Sequence, residues 1–320
     1  MKIPSGEAPR ALVTGGTGAI GSTLVGRLLR EGWQVLVLDD LSSGYRENLP
    51  PEALFTEGSI TDEPLVEELF SQRPRVVFHL AAHFANQNSV EHPRADLRVN
   101  AEGTLLLLEQ ALAAGVERFV YASSSCVYGK ASSMKEDQVG EELDTPYAIS
   151  KLAGERYARF FAHYHALHTV SLRYFNSYGP GEFPGRYRNV IPNFFARALR
   201  KEPLIITGTG EETRDFTYVE ETAEATLRAA LTPLPPGTVL NVGRGEPVPI
   251  AELAREINHL TGNPAGVAFA PPRSWDGIPH RRAEVGKMQD LLGFSPQTPL
   301  REGLEKTLEW IETRKERFLS

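Results

Sequence analysis

The sequence predicts an α/β protein: a doubly wound parallel sheet with a smaller α/β lobe attached. Three observations carry this. Short apolar runs alternate with helix-period segments through the first half of the chain. Those runs are apolar throughout, as strands are when helices cover both faces of a sheet. A glycine-rich turn, residues 14–21, joins the first run to the first helical segment.

The elements follow in order. Residues 11–13 read as a buried strand. A helix at 22–30 has Leu24, Val25, Leu28 and Leu29 on one face, and Gly32 lies where a C-cap belongs. Further strands are expected at 35–38, 76–80, 119–122 and 170–174. Long helices are expected at 97–113, ended by Gly115, and at 146–165. The second half is richer in Gly and Pro, with short strands at 204–206 and 239–242 and helices at 220–231, 250–260 and 300–314. The expected division is a first domain over 1–175, rejoined by about 212–240, and a second lobe of 176–211 and 241–320.

Composition narrows the function. The chain has 320 residues, 41% hydrophobic and 23% charged, which suits about two domains and excludes a disordered or low-complexity class. The net charge is −7, and basic residues cluster only at Arg281–Arg282 and in the tail 314–317. A nucleic-acid partner is therefore not expected. One cysteine, Cys126, allows no intramolecular disulfide, so a reducing cytosol is the expected compartment. The first ten residues lack the apolar core of a signal peptide, and no window of 18 apolar residues suggests a membrane span.

The turn contains Gly15-x-x-Gly18-x-x-Gly21 and an overlapping Gly16-x-Gly18-x-x-Gly21. Glycines there permit the tight turn, the approach of a pyrophosphate to the backbone, and close helix–strand packing. The helix N-terminus then offers free N–H groups to the phosphates. Asp39 ends the second strand, 18 residues after Gly21. A carboxylate there accepts from ribose hydroxyls and repels a 2′-phosphate, which favours NAD over NADP.

Tyr147 and Lys151 lie four residues apart at a helix start, on one face. An adjacent ammonium favours the phenolate and so equips a tyrosine to take a hydroxyl proton near neutral pH. Ser123, Ser124 and Ser125 end a strand upstream, and ligands of parallel sheets sit beyond the carboxyl ends of strands. A serine there can bind the oxygen that the tyrosine deprotonates.

These motifs occur in order with His79-Leu80-Ala81-Ala82, Asn100-x-x-Gly103-Thr104, Val127-Tyr128-Gly129 and Arg173-Tyr174-Phe175-Asn176. Over nearly its whole length the chain resembles the extended short-chain dehydrogenase/reductase family, within it the NAD-dependent nucleotide-sugar epimerases and dehydratases of the UDP-glucose 4-epimerase type. The resemblance implies a Rossmann domain binding NAD and a second lobe binding a nucleotide-diphosphate sugar. It implies Ser124 as the catalytic serine, with Ser123 and Ser125 as competitors. Tyr147 would be the base, and Lys151 its tuner and ribose ligand. Cofactor contacts are expected from Gly15, Gly18, Ala19, Ile20, Gly21, Asp39, Asp40, Ser43, Gly44, Ser59, Ile60, Leu80, Ala81, Ala82, Asn100, Ser123 and Tyr174. The family usually carries Asp where this chain has Ser59. Substrate contacts are expected from Phe84, Asn86, Asn176, Asn193, Arg214 and Arg273, the last two on the phosphates.

The related dehydratases carry Asp-Glu, and the decarboxylases a Glu, before Val-Tyr-Gly. Here Ser125 and Cys126 stand there, and neither is a strong acid or base at neutral pH. The expected reaction is epimerisation, at C4, of UDP-glucose or UDP-galactose, a UDP-N-acetylhexosamine or a UDP-uronate. Alternatives on the same scaffold are a 2-epimerase, 4-ketoreductase, decarboxylase or dehydratase; outside it, a non-catalytic dinucleotide sensor. Asn86 or Gln87 is expected to read sugar substituents. Arg186, Arg188 and Arg281–Arg282 would favour an acidic sugar. The His163-x-His165-x-x-His168 spacing makes no tight ligand set on a helix, so no metal is expected. Helices 97–113 and 146–165 are expected to form a homodimer interface, as in the family.

Overall fold

The computed structural model describes residues 8–131, 133–273 and 278–319. Seven strands form one sheet: β1 (Arg10–Thr14), β2 (Gln34–Asp39), β3 (Leu54–Glu57), β4 (Val76–His79), β5 (Arg118–Ser124), β6 (Thr169–Tyr174) and, after several intervening elements, β10 (Thr238–Val242). Their order is β10-β6-β5-β4-β1-β2-β3, and every pairing is parallel. The order turns back on itself between β4 and β1. That crevice, beyond the carboxyl ends of the strands, is where such sheets take ligands.

Both faces are covered. Ala11 and Val13 of β1 point into a core shared with Leu24, Val25 and Leu28 of α1 (Ala19–Arg30). Leu12, between them, points into a second core with α2 (Glu63–Ser71) and with two later helices, α5 (Gly103–Ala113) and α6 (Pro146–Tyr164). Side-chain alternation along a strand produces this split, and two apolar faces explain the unbroken apolar runs. Each fully buried Leu or Val contributes roughly 1.5–3 kcal/mol.

The helix expected at 97–113 is broken. Two short helices precede it, α3 (Asn86–Glu91) and α4 (Pro93–Asp96), and then a π-helical turn, Leu97–Glu102, leads into α5. The wide turn carries Asn100, whose side-chain amide holds the backbone of His83. Periodicity does not register a π turn, because it slips the helical phase by one residue. Strand β3 gives no strand signal in the sequence: it is a four-residue edge strand with no buried residue.

The rest of the chain contains β7 (Asn176–Tyr178), α7 (Val190–Leu199), β8 (Leu204–Thr207), β9 (Thr213–Tyr218), α8 (Val219–Leu231), β11 (Pro247–Pro249), α9 (Ile250–Thr261), β12 (Val267–Ala270), α10 (Gly286–Leu292), α11 (Leu300–Glu312) and α12 (Glu316–Leu319). Helices α8 and α10 join the core on one face of the large sheet, and the other elements build a smaller assembly. Strands β11, β9 and β7 form one small sheet, and β12 and β8 another. A separate aromatic-rich core, with Phe194, Phe195, Phe216 and Phe318, holds it together. Helix α8 packs on α1 and leads to β10, which returns the chain to the large sheet.

Candidate active site

A cavity of about 1040 Å³ runs along the crevice between the large sheet and the smaller assembly. It lies at the top of the usual range for ligand pockets, roughly 300–1,000 Å³.

One end is built by the glycine turn. Gly15 has φ +71°, and a Cβ there would sit 2.5 Å from the Ala81 nitrogen. A Cβ on Gly21 would sit 2.2 Å from the Gly15 carbonyl oxygen. Gly18 is different: its nearest neighbour would be 3.5 Å away, and it faces the cavity. Gly18 is also the N-cap of α1 and offers no side-chain cap. The first turn of α1 thus presents N–H groups to the cavity, where a pyrophosphate would satisfy them. Asp39 is buried beside it. Its Oδ2 accepts from the Thr17 N–H at 3.0 Å and its Oδ1 from the Leu41 N–H at 3.0 Å. Each oxygen retains a lone pair for a ribose hydroxyl. These residues fit a dinucleotide.

His79, behind this wall, is fully buried between two threonines. The Thr104 hydroxyl donates to the Asn100 carbonyl at 2.7 Å, so the Thr104 oxygen must accept from His79 Nε2–H, 2.8 Å away. Nδ1 then accepts from Thr14 at 2.8 Å. Burial, with a smaller contribution from Lys151, holds His79 neutral, well below its ordinary pKa.

The predicted Ser-Tyr-Lys group lies midway. Thr145 caps α6 by accepting from the Ala148 N–H at 3.3 Å, and Pro146 starts the helix. Tyr147 and Lys151 therefore face the end of β5. Ser124 lies beside the Tyr147 phenol and favours its ionised form, while its Oγ accepts from the Cys126 N–H at 3.2 Å. Ser123 turns the other way and donates to Glu155. Lys151 Nζ donates to the Ala122 carbonyl at 2.9 Å and lies 5.8 Å from the Tyr147 ring centroid.

The electrostatics depart from the simple expectation. Burial pushes the Tyr147 phenol well above its ordinary pKa; Cys126 and Asp96 push the same way, and Ser124 opposes them. Burial pushes Lys151 itself down to about 8, against the pull of Asp96. Asp96 is 1% exposed, accepts from Asn100 Nδ2 at 2.8 Å, and has its own pKa raised by burial.

Asp96 and Glu155 were not anticipated. Both had a signal in the sequence. Tyr147, Lys151 and Glu155 are spaced four apart on one helix face. Asp96 precedes Asn100 by the same interval.

All predicted site residues line the cavity except Asn100. Its side-chain Oδ1 accepts from the His83 N–H at 2.8 Å, and its Nδ2 donates to Asp96. Asn100 therefore holds the wall from behind rather than facing the cavity. Phe84 meets the Tyr147 ring edge-on at 6.2 Å. Asn86 accepts from Thr145 Oγ1 at 2.9 Å and donates to Cys126 Sγ at 3.6 Å. Gln87 reaches outward to Glu91. Across the cavity, Asn193 clamps the 185–189 loop through the Gly185, Arg188 and Asn189 backbone. Arg214 Nη1 donates to the Thr213 and Pro279 carbonyls, and Arg273 and Asn176 complete that side.

A doubly wound sheet with an open phosphate turn, a ribose carboxylate and a Ser-Tyr-Lys group defines a dinucleotide-dependent enzyme acting on an alcohol or carbonyl carbon. Comparison with known proteins makes this specific. Residues 11–243 match the NAD dependent epimerase/dehydratase family, and the chain belongs to it. It is 37% identical to a UDP-glucose 4-epimerase of Mycolicibacterium smegmatis, over 95% of this chain and 99% of that protein. The structure of an epimerase from Methanothermobacter thermautotrophicus superposes with a TM-score of 0.95 at 45% identity, over 98% of this chain and 94% of the other. That of the Thermotoga maritima UDP-glucose 4-epimerase with UDP-glucose gives 0.91 at 36% identity, covering 96% and 99%.

Proposed function

We propose that this protein is an NAD-dependent epimerase of a nucleotide-diphosphate sugar, acting at C4. The observation that carries the reading is the Ser124–Tyr147 pair, opening onto a cavity with a free phosphate turn at one end and arginines at the other. In this reading the large-sheet part, 1–175 rejoined by 212–240, holds NAD. Residues 176–211 and 241–320 hold the sugar nucleotide.

Gly18, the start of α1 and Asp39 would bind the cofactor. NAD supplies the hydride acceptor, and its positive ring favours a phenolate nearby. Tyr147 takes the proton of the C4 hydroxyl, and Ser124 hydrogen-bonds the same oxygen as it becomes a carbonyl. Lys151, charged below pH about 8, stabilises the phenolate. The sugar then turns in the cavity. Tyr147 returns the proton as the other face of C4 is reduced. No redox equivalent is consumed. Cys126, where related dehydratases and decarboxylases carry an acid, has the Asn86 amide against its sulfur at 3.6 Å and is itself no strong acid, so elimination lacks a proton carrier.

The proposed assembly is a homodimer. Leu97, Ile149, Tyr157, Phe160 and Tyr164 lie 40–77% exposed on the π turn and α6, and exposed apolar side chains grouped on neighbouring elements suit an interface. Among the described residues no helix is long and apolar enough to cross a membrane. The lone cysteine fits a reducing cytosol.

The test is product analysis by NMR and mass spectrometry, with purified protein, no added cofactor, and UDP-, dTDP-, GDP- and CDP-sugars. A mass-neutral C4 isomer is expected. Loss of water or carbon dioxide would overturn the reading.

A further inference from the structure

Of the four arginines that the sequence offered for an acidic sugar, three are occupied near the surface. Arg186 pairs with Glu91 at 2.9 Å. Arg188 donates to the Ser43 carbonyl. Arg282 donates to the Gly245 carbonyl at 2.9 Å.

Arg281 is different. It is 8% exposed, and its Nη1 donates to the Ser125 carbonyl at 2.9 Å, one residue from the catalytic serine. Its backbone N–H is tied to the Thr213 carbonyl at 3.2 Å. The side chain lines the main cavity and an adjoining recess, together with Asn86, Cys126 and Ile278. Among the described residues it forms no ion pair. Asp144 lies on the wall of the same recess, and its Oδ1 faces Lys130 at 3.5 Å. Asp144 Oδ2 is buried without a hydrogen-bond partner.

A buried guanidinium with one carbonyl partner and no carboxylate is costly to fold around, unless a ligand supplies the missing charge. Its planar fork matches a carboxylate in two-point contact. The Arg281 guanidinium sits beside Ser125, whereas Arg214 Nη1 binds the Thr213 and Pro279 carbonyls.

We propose that Arg281 is the carboxylate receptor of the hexose subsite, and that the preferred substrate is a nucleotide-linked acidic sugar. This rests on the epimerase reading above and deepens it. Binding of the carboxylate at Arg281 leaves the Ser125 carbonyl bond in place, because the guanidinium carries five N–H donors.

The experiment uses the full chain with its own NAD. UDP-glucuronate tests a carboxylate at C6, and UDP-N-acetylmuramate one on a lactyl ether. UDP-glucose and UDP-N-acetylglucosamine are their neutral counterparts. The expected result is a KM at least tenfold lower for one acidic sugar than for its counterpart. In Arg281→Met the acidic-to-neutral ratio of kcat/KM should fall roughly 100-fold, mainly through KM, and Arg281→Lys should recover part of it. Wild-type preference for neutral sugars overturns the proposal and leaves the epimerase reading intact. An equal loss on acidic and neutral sugars in Arg281→Met also overturns it; Arg281 would then serve only Ser125, or Asp144 through a bridging water. With no turnover of any sugar, calorimetric binding decides. UDP-glucuronate binding weakened by Arg281→Met would support the receptor while the epimerase reading fell. No binding would overturn both.

Discussion

Ser123 donates its hydroxyl to Glu155 Oε2 at 2.8 Å, whereas the hydroxyl of its neighbour Ser124 accepts from the Cys126 N–H. Adjacent residues of a strand point to opposite sides, so the three serines at the end of β5 cannot share one role. Glu155 is locked by Arg173, whose Nε and Nη2 reach its two oxygens at 2.9 and 2.6 Å, both side chains being 2% exposed. Ser124→Ala is expected to lower kcat roughly 100-fold or more by removing a donor to the reacting oxygen. Ser123→Ala is expected to lower stability by about 1.5–3 kcal/mol, as for a buried hydrogen bond to a charged group, with a much smaller effect on kcat. Steady-state rates and urea unfolding of both variants check this.

Tyr147→Phe removes the proton carrier and should cost roughly 10²- to 10⁴-fold in kcat. Lys151 adds a pH signature. Burial lowers its pKa to about 8, so its charge is complete below that pH and lost above it. The rate should fall on the alkaline side with a midpoint near 8. Lys151→Met should be slow throughout and lack that limb. A kcat profile from pH 6 to 10 measures both.

Two glycines of one turn should fail in different ways. Gly21→Ala places a methyl group 2.2 Å from the Gly15 oxygen, so it is expected to lower folding stability by several kcal/mol through strain between helix and strand. Gly18→Ala meets nothing nearer than 3.5 Å in the protein. It is expected to fold normally and lose bound NAD, because its methyl group enters the space of the phosphates. Thermal unfolding and the NAD content of purified protein separate the two.

His79 makes stability depend on pH with a definite sign. Its folded pKa lies well below the ordinary 6.5, so below pH 6.5 the unfolded chain binds a proton that the folded chain refuses. The contribution is complete above 6.5 and is lost as pH falls, by up to about 1.4 kcal/mol per pH unit. His79→Gln should be less stable at pH 7.5, and its urea midpoint should fall less steeply between pH 7 and 5.5 than that of the wild type.

Breaking the Arg173–Glu155 pair should be among the most damaging single changes away from the cavity wall. Glu155→Gln leaves a buried guanidinium without its counter-charge, and a loss of about 3–5 kcal/mol is expected in denaturant unfolding.

Local pattern alone determined much of this protein. Unbroken apolar strands could only be covered on both faces, which decided the parallel sheet. Gly15, Gly18 and Gly21 between a strand and a helix, with Asp39 closing the next strand, announced a dinucleotide site. Tyr147 and Lys151 announced their shared face by spacing. Tertiary structure decided what depends on contacts between distant segments. It separated Ser123 from Ser124, because Glu155 and Arg173 arrive from other elements. It turned Asn100 behind the wall, because a π turn breaks the period that a helical reading assumes. It set the upward shift of Tyr147, because burial depends on everything packed around the ring. And it drew Arg281 inward while Arg282 stayed at the surface. Two adjacent arginines look alike in a sequence, and the field each one feels depends on where the chain leaves its side chain.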